Sequence, residues 1–215
     1  MRAEIVKISS ENPELSLVKY AADQIRSGEV LGMPTDTFYG LAADPFNLRA
    51  VDRVYEIKTR SRHKPLSLLI ESVDQAEELA KDLTEEFYAL ARKFWPGPLT
   101  IIVKAGSRLP LKVTANTGNV ALRVPNAKIP RAVVAAAAIP ITATSANLSG
   151  ATECTSAEQV RDQLQGRISL IVDGGASPRD VASTIIDLSD EVSRWRVIRE
   201  GAIPADEIST FFAKG

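Results

Sequence analysis

Four cations stand at every second position in one short stretch: Lys58, Arg60, Arg62 and Lys64. No acid falls between Glu56 and Glu71. In an extended chain, a side-chain period of two places all four on one side, with neighbours about 6.6 Å apart. On a helix the same spacing scatters them around the axis. The apolar run over 66–70 follows directly and reads as a buried strand, so the extended form is expected. Unit charges at that spacing repel by about 0.6 kcal/mol in water and about 2.5 kcal/mol at an effective dielectric near 20. A row of this kind suits an anion with several oxygens. Arginine meets phosphate with two parallel hydrogen bonds, and lysine adds a compact charge. The ordinary alternative for a basic run is a solvated loop.

Further along, short polar clusters follow apolar runs. Thr35, Asp36 and Thr37 leave the end of a strand, where α/β proteins place ligands; they also suit a plain turn. Ser145 and Asn147 follow another apolar strand and could cap the next segment or meet a nucleotide. Arg123 lies among Val120, Leu122 and Val124, so its charge must be paired or exposed. A salt bridge is the ordinary outcome; a clamp on a ligand carboxylate is the sharper one. Asp173-Gly174-Gly175 reads as a turn, Ser183 opens a strand, and Arg199 closes the last one. His63, between two cations, is expected to be exposed and without catalytic duty. Cys154 has no partner motif and reads as structural.

The elements that must position these groups alternate along the chain. Strands are expected over 5–8, 30–33, 66–70, 99–103, 120–125, 139–144, 168–172, 183–188 and 195–199. Helices are expected after Asn12-Pro13, with a stripe of Leu15, Val18, Ala22 and Ile25 closed by Gly28, and after the caps Asn47, Ser72 and Thr84. Others span 130–138, follow Thr155 or Ser156, and start at Pro204. Two prolines and a glycine over 96–98 stop the fourth helix. The interleaving predicts one α/β domain over 1–215 with a mixed sheet flanked by helices.

Composition narrows the function. The chain has 215 residues, 45% hydrophobic and 25% charged, with a net charge of −1. The basic row is therefore a local feature of a balanced globular protein. A single cysteine forbids an internal disulfide, and a single histidine forbids a metal site of several imidazoles. No signal peptide and no apolar stretch near 18 residues is read, which points to the cytoplasm.

The clusters come in a distinctive order: Pro-Thr-Asp-Thr-x-Tyr-Gly-Leu, Lys-x-Arg-x-x-x-Lys-Pro-Leu, Trp-Pro-Gly-Pro-Leu-Thr, Arg-Val-Pro, Thr-Ser-Ala-Asn-x-Ser-Gly, Asp-Gly-Gly, Ser-Thr-Ile-Ile-Asp and Ile-Arg-Glu-Gly. From about Val30 to Gly201 this closely resembles the YrdC-like family, the threonylcarbamoyl-AMP synthases. The resemblance implies a twisted α/β sheet with a concave, positively charged face. It implies formation of threonylcarbamoyl-AMP and pyrophosphate from L-threonine, bicarbonate and ATP, with Mg²⁺ carried by the ATP and no protein-ligated metal. A downstream transferase would then move the threonylcarbamoyl group onto tRNA. By position, Lys58 and Arg60 would be catalytic. Arg60, Lys64, Asn119, Ser145, Asn147, Thr155 and Arg199 would surround ATP. Thr37, Arg123, Ser145 and Ser183 would hold threonine. Some relatives carry a histidine in the place of Leu69, and relatives often read Ser-Pro-Thr where this chain has Glu153-Cys154-Thr155. The short form, without the additional C-terminal domain of longer relatives, is implied. The alternative is a module that binds double-stranded RNA or tRNA through the basic row without threonine-dependent turnover; the row lacks interleaved aromatics for base stacking.

Overall fold

The computed structural model describes residues 3–178, 180–190 and 192–213. In chain order the elements are β1 (Glu4–Lys7), α1 (Leu15–Arg26), β2 (Leu31–Met33), β3 (Gly40–Ala42), α2 (Leu48–Lys58), β4 (Ser67–Leu69), α3 (Val73–Leu79), α4 (Glu85–Phe94), β5 (Leu99–Lys104) and β6 (Asn119–Arg123). Then come α5 (Lys128–Ala137), β7 (Ile141–Thr142), β8 (Thr144–Ser145), α6 (Ala157–Leu164), β9 (Leu170–Asp173), β10 (Thr184–Asp187), β11 (Arg196–Arg199) and α7 (Ala205–Ala213). The expected α/β domain is present, but its strands divide between two mixed sheets. One runs β1-β9-β2-β3-β8 and the other β11-β10-β5-β6-β4-β7.

The segment read as a single strand over 139–144 is what joins the sheets. It breaks at Ala143. β7 pairs antiparallel with β4 in the six-stranded sheet, and β8 pairs antiparallel with β3 in the five-stranded one. Thr142 donates its backbone N–H to the Ala43 carbonyl at 2.9 Å, and Ala143 donates to Ser67 at 2.8 Å. This stitch carries the chain into Ser145 and Asn147.

Period-two burial explains why the five-stranded sheet is covered on both faces. Leu170 and Val172 pack with Val18 and Ile25 of α1 and with Val133 and Val134 of α5, whereas Ile171 points into the larger core. Gly32 stands where α6 approaches: a β-carbon there would lie 2.9 Å from Val160 Cγ1. Helix α1 begins two residues later than its Asn12-Pro13 signal suggests. Glu14 is the N-cap, and its carboxylate accepts the Ser9 N–H at 2.9 Å. Leu15 is 84% exposed and drops out of the stripe, which Ala21 completes.

Helix α2 matters most for the site. Asn47 caps it by accepting the N–H groups of Arg49 and Ala50, as its sequence predicts. Val51, Val54, Tyr55 and Ile57 bury its inner face. Its end overturns the extended reading of the basic row. Lys58 is the last helical residue, and Thr59 is left-handed at φ 52°. Arg60 donates to the Tyr55 carbonyl at 2.9 Å and Thr59 to Glu56 at 3.1 Å. This is a Schellman cap, with a β-branched residue where glycine is usual. A turn closed by Lys64 N–H to the Ser61 carbonyl at 3.2 Å then precedes β4. A helix end and a turn replace the continuous strand, so the four cations do not share one side.

Candidate functional site

Lys58 points inward from the end of α2. It is 2% exposed. Its ammonium donates to the Ser145 carbonyl, to the Asn147 carbonyl at 2.8 Å and to Asn147 Oδ1 at 2.9 Å. Three donors meet three acceptors, so the ammonium is fully satisfied. Burial pulls its pKa down to about 8, and Arg60 beside it adds to the shift. The backbone closes the same junction: Ser149 donates to the Lys58 carbonyl at 2.9 Å. Asn147 is equally committed. Its Oδ1 also accepts from Ser145 Oγ at 2.7 Å, and its Nδ2 donates to the Ala151 carbonyl at 2.6 Å.

The other cations diverge. Arg60 Nη2 donates to the Pro65 carbonyl at 3.0 Å, and no ion pair neutralises it among the described residues. Lys64 is exposed on the rim of a groove. Arg62 turns away, binds the Asp52 carboxylate and lies 5.8 Å over the Tyr55 ring. His63 is exposed, as expected.

Two adjoining cavities open beside this junction. The smaller holds about 180 Å³ and is walled by Thr37, Leu69, Thr100, Arg123, Ser183 and Arg199, among others. The larger is an open groove of about 730 Å³ bordered by Lys58, Lys64, Asn147, Gly150 and Thr155. Phe38, Arg60, Ser145 and Glu153 line both. Pockets for drug-sized ligands run from about 300 to 1,000 Å³. By that measure the first suits a metabolite of a few heavy atoms, and the second takes something larger.

Arg123 lines the small cavity, and the salt bridge expected of it is present. It is 6% exposed and pairs with Asp36, 5% exposed, at 2.5 Å. Its Nε donates to the Gly97 carbonyl at 3.0 Å and its Nη1 to Thr37 Oγ1 at 3.1 Å. Ser183 and Thr100 share a hydrogen bond at 2.9 Å, and Arg199 donates to the Ser183 carbonyl at 2.8 Å and to Ser183 Oγ at 3.2 Å. Tyr39 locks the strand-end cluster to the Asp173-Gly174-Gly175 turn, its hydroxyl donating to the Gly175 carbonyl at 2.7 Å.

The structure thus gathers Thr37, Lys58, Arg60, Lys64, Arg123, Ser145, Asn147, Thr155, Ser183 and Arg199 around the two cavities. Asn119 lies apart. It is at the far end of β6 from Arg123, about 13 Å along the strand, and lines neither cavity. Leu69 presents an apolar wall to the small cavity. Cys154 is buried in the core, and burial pushes its thiol pKa up to about 11, so it is a packing residue. Thr100 and Glu153 were not singled out as ligand contacts from sequence and had no local signal there; Asp36, read with Thr35 and Thr37 as a polar rim, pairs with Arg123 and lines neither cavity. No group of three or more His, Cys, Asp or Glu is placed to hold a metal ion among the described residues, and no helix is long and apolar enough to cross a membrane.

A compact polar chamber adjoining an open groove, both at the seam of two mixed sheets, defines a two-compartment α/β domain. The chain belongs to the Sua5/YciO/YrdC family, described as telomere recombination, whose pattern matches residues 23–201. It is 39% identical over 193 residues to a threonylcarbamoyl-AMP synthase of Pyrococcus abyssi, covering 89% of this chain and 56% of that protein. It is 37% identical over 203 residues to one of Bacillus subtilis, covering 94% and 57%. The structure of Pyrococcus abyssi Sua5 complexed with L-threonine superposes with a TM-score of 0.93 at 37% identity, covering 97% of this chain and 61% of that one. The chain therefore spans a little over half the length of these curated relatives.

Proposed function

We propose that this protein forms threonylcarbamoyl-AMP from L-threonine, bicarbonate and Mg²⁺-bound ATP. The observation that carries this is the meeting of the two cavities at Arg60 and Ser145. The relatives named above and the threonine-bound neighbour support the choice of substrates.

Threonine takes the small cavity. Arg123 has five N–H donors, of which Gly97, Thr37 and Asp36 engage three. One remains on each terminal nitrogen, which suits the two oxygens of a carboxylate. Asp36 offsets the charge of Arg123, so Arg199 and Arg60 supply the attraction for the anion. ATP takes the groove, with its triphosphate toward Arg60 and Lys64. Lys58 acts mainly by holding the Ser145–Asn147 turn. The threonine amine adds to bicarbonate with loss of water, giving a carbamate. A carbamate oxygen attacks the α-phosphorus, and pyrophosphate leaves. Arg60, facing both compartments, offsets the repulsion between the two anions and the charge on the leaving group. The product passes to a transferase that modifies tRNA in the cytoplasm.

The test is pyrophosphate release from ATP, Mg²⁺ and bicarbonate with each of several amino acids. Release that requires both threonine and bicarbonate is expected. Release independent of threonine, or none, overturns the assignment. The RNA-binding alternative loses its footing because Arg62 faces Asp52 and the cation row is not one surface.

A further inference from the structure

Glu153 is the only carboxylate-bearing residue on the wall of the small cavity among the described residues, and it lines the groove as well. Three guanidinium groups, of Arg60, Arg123 and Arg199, share that small cavity. Yet Glu153 forms no ion pair with any of them among the described residues. Asp36 pairs with Arg123 through Oδ1, its Oδ2 is buried without a hydrogen-bond partner, and it lines neither cavity; Asp180 lines the groove but not the small cavity. The cavity thus offers cationic donors in excess and, on its wall, one carboxylate that meets Arg199 and Lys58 only by longer-range attraction, placed where the two compartments join. A ligand matching that pattern carries both an anionic group and a cationic one. An α-amino acid is such a ligand, and its carboxylate already has a seat at Arg123.

We propose that Glu153 is a specificity-determining residue that receives the α-ammonium of the amino-acid substrate. This rests on the assignment of threonine to the small cavity. With the carboxylate on Arg123 and the nitrogen on Glu153, the nitrogen is held at the mouth that faces the groove. That is where carbamate must form if its oxygen is to reach a nucleotide phosphorus. The residue also sets selectivity: an analogue with a hydroxyl in place of the ammonium leaves the carboxylate without a charged partner. Polar isosteres are separated well only by a site that has a group to leave unpaired.

The experiment compares binding of L-threonine and of 2,3-dihydroxybutanoate, which lacks the ammonium, by calorimetry. It uses the wild-type protein, Glu153→Gln and Glu153→Asp. A charge-assisted hydrogen bond is expected to make the wild type prefer threonine by about tenfold or more. Glu153→Gln should cut that preference at least severalfold, and Glu153→Asp should fall between. An unchanged preference in Glu153→Gln overturns the proposal alone. A wild-type protein that binds no threonine overturns the substrate assignment, and the role of Glu153 falls with it.

Discussion

Lys58 Nζ lies 2.9 Å from Asn147 Oδ1, so one buried ammonium ties the end of α2 to the turn that follows β8. The contact spans 89 positions of sequence and also engages the Asn147 carbonyl. A cation that reads as a phosphate ligand in sequence is, in the folded chain, also a post that ties one wall of the groove to α2.

Removing that post should damage wall and chemistry together. Lys58→Ala leaves the buried Asn147 carbonyl without a donor and takes one of two donors from the Ser145 carbonyl and from Asn147 Oδ1, at about 1–3 kcal/mol in all. For a protein of this size, that is a fall of several degrees in Tm, at about 2–4 °C per kcal/mol. Adenylate formation, followed as pyrophosphate release, should drop by at least one to two orders of magnitude while circular dichroism shows a folded protein. Wild-type turnover would exclude the role.

The same ammonium predicts opposed pH dependences. Its pKa in the folded chain is about 8, below the 10.5 of a free lysine. Between those values the unfolded chain binds more protons than the folded one, so this group makes stability rise with pH across that window. Below pH 8 the burial penalty is fully present. Activity should do the reverse, falling above about pH 8 as the third N–H of the post is lost. Denaturant unfolding at pH 7 and pH 10 should show a gain for the wild type relative to Lys58→Met. In Lys58→Arg the alkaline limb of the rate profile should vanish.

Asp36 and Arg123 form a buried pair, and breaking one side should cost more than removing both. Asp36→Ala strands a buried guanidinium, a loss of about 3–5 kcal/mol. The double replacement Asp36→Leu with Arg123→Met should be less destabilised than Asp36→Ala in urea unfolding, yet should show no measurable threonine binding. Equal stability of the two variants would contradict the coupling.

Gly97 supplies the carbonyl that holds Arg123 Nε, and its own N–H donates to the Val124 carbonyl at 2.9 Å. A β-carbon at this position would lie 2.3 Å from the Phe94 carbonyl oxygen, a backbone atom that cannot swing aside. Gly97→Ala should therefore lower stability and raise the KM for threonine more than that for ATP, measured by steady-state pyrophosphate release.

Two neighbours in the basic run should behave oppositely. Arg60 borders both cavities, and Arg60→Ala should lose about ten- to a hundredfold in kcat/KM, in line with the loss of one charge-assisted contact. Arg62 is turned toward Asp52, and Arg62→Ala should match the wild type in both Tm and turnover. A similar loss in both variants would restore the single-faced row.

The sequence by itself determined what is local. Asn47 capping α2, the buried stripe of α1, the apolar strands and the break at 96–98 are written in periodicity, caps and backbone restrictions that act over a few residues. The order of the polar clusters also named most of the residues that the fold brings around the two cavities. Tertiary structure decided what depends on distant partners. Asp36 meets Arg123 across 87 positions, and the segment over 139–144 splits because β4 and β3 offer it two different edges. The Schellman cap at Thr59 turned an apparent row of cations into three directions, because the buried face of α2 keeps Lys58 helical. Glu153 acquired its place only when the loop before α6 was folded against both cavities. No local pattern encodes that, since side-chain surroundings are set by packing between segments far apart in the chain.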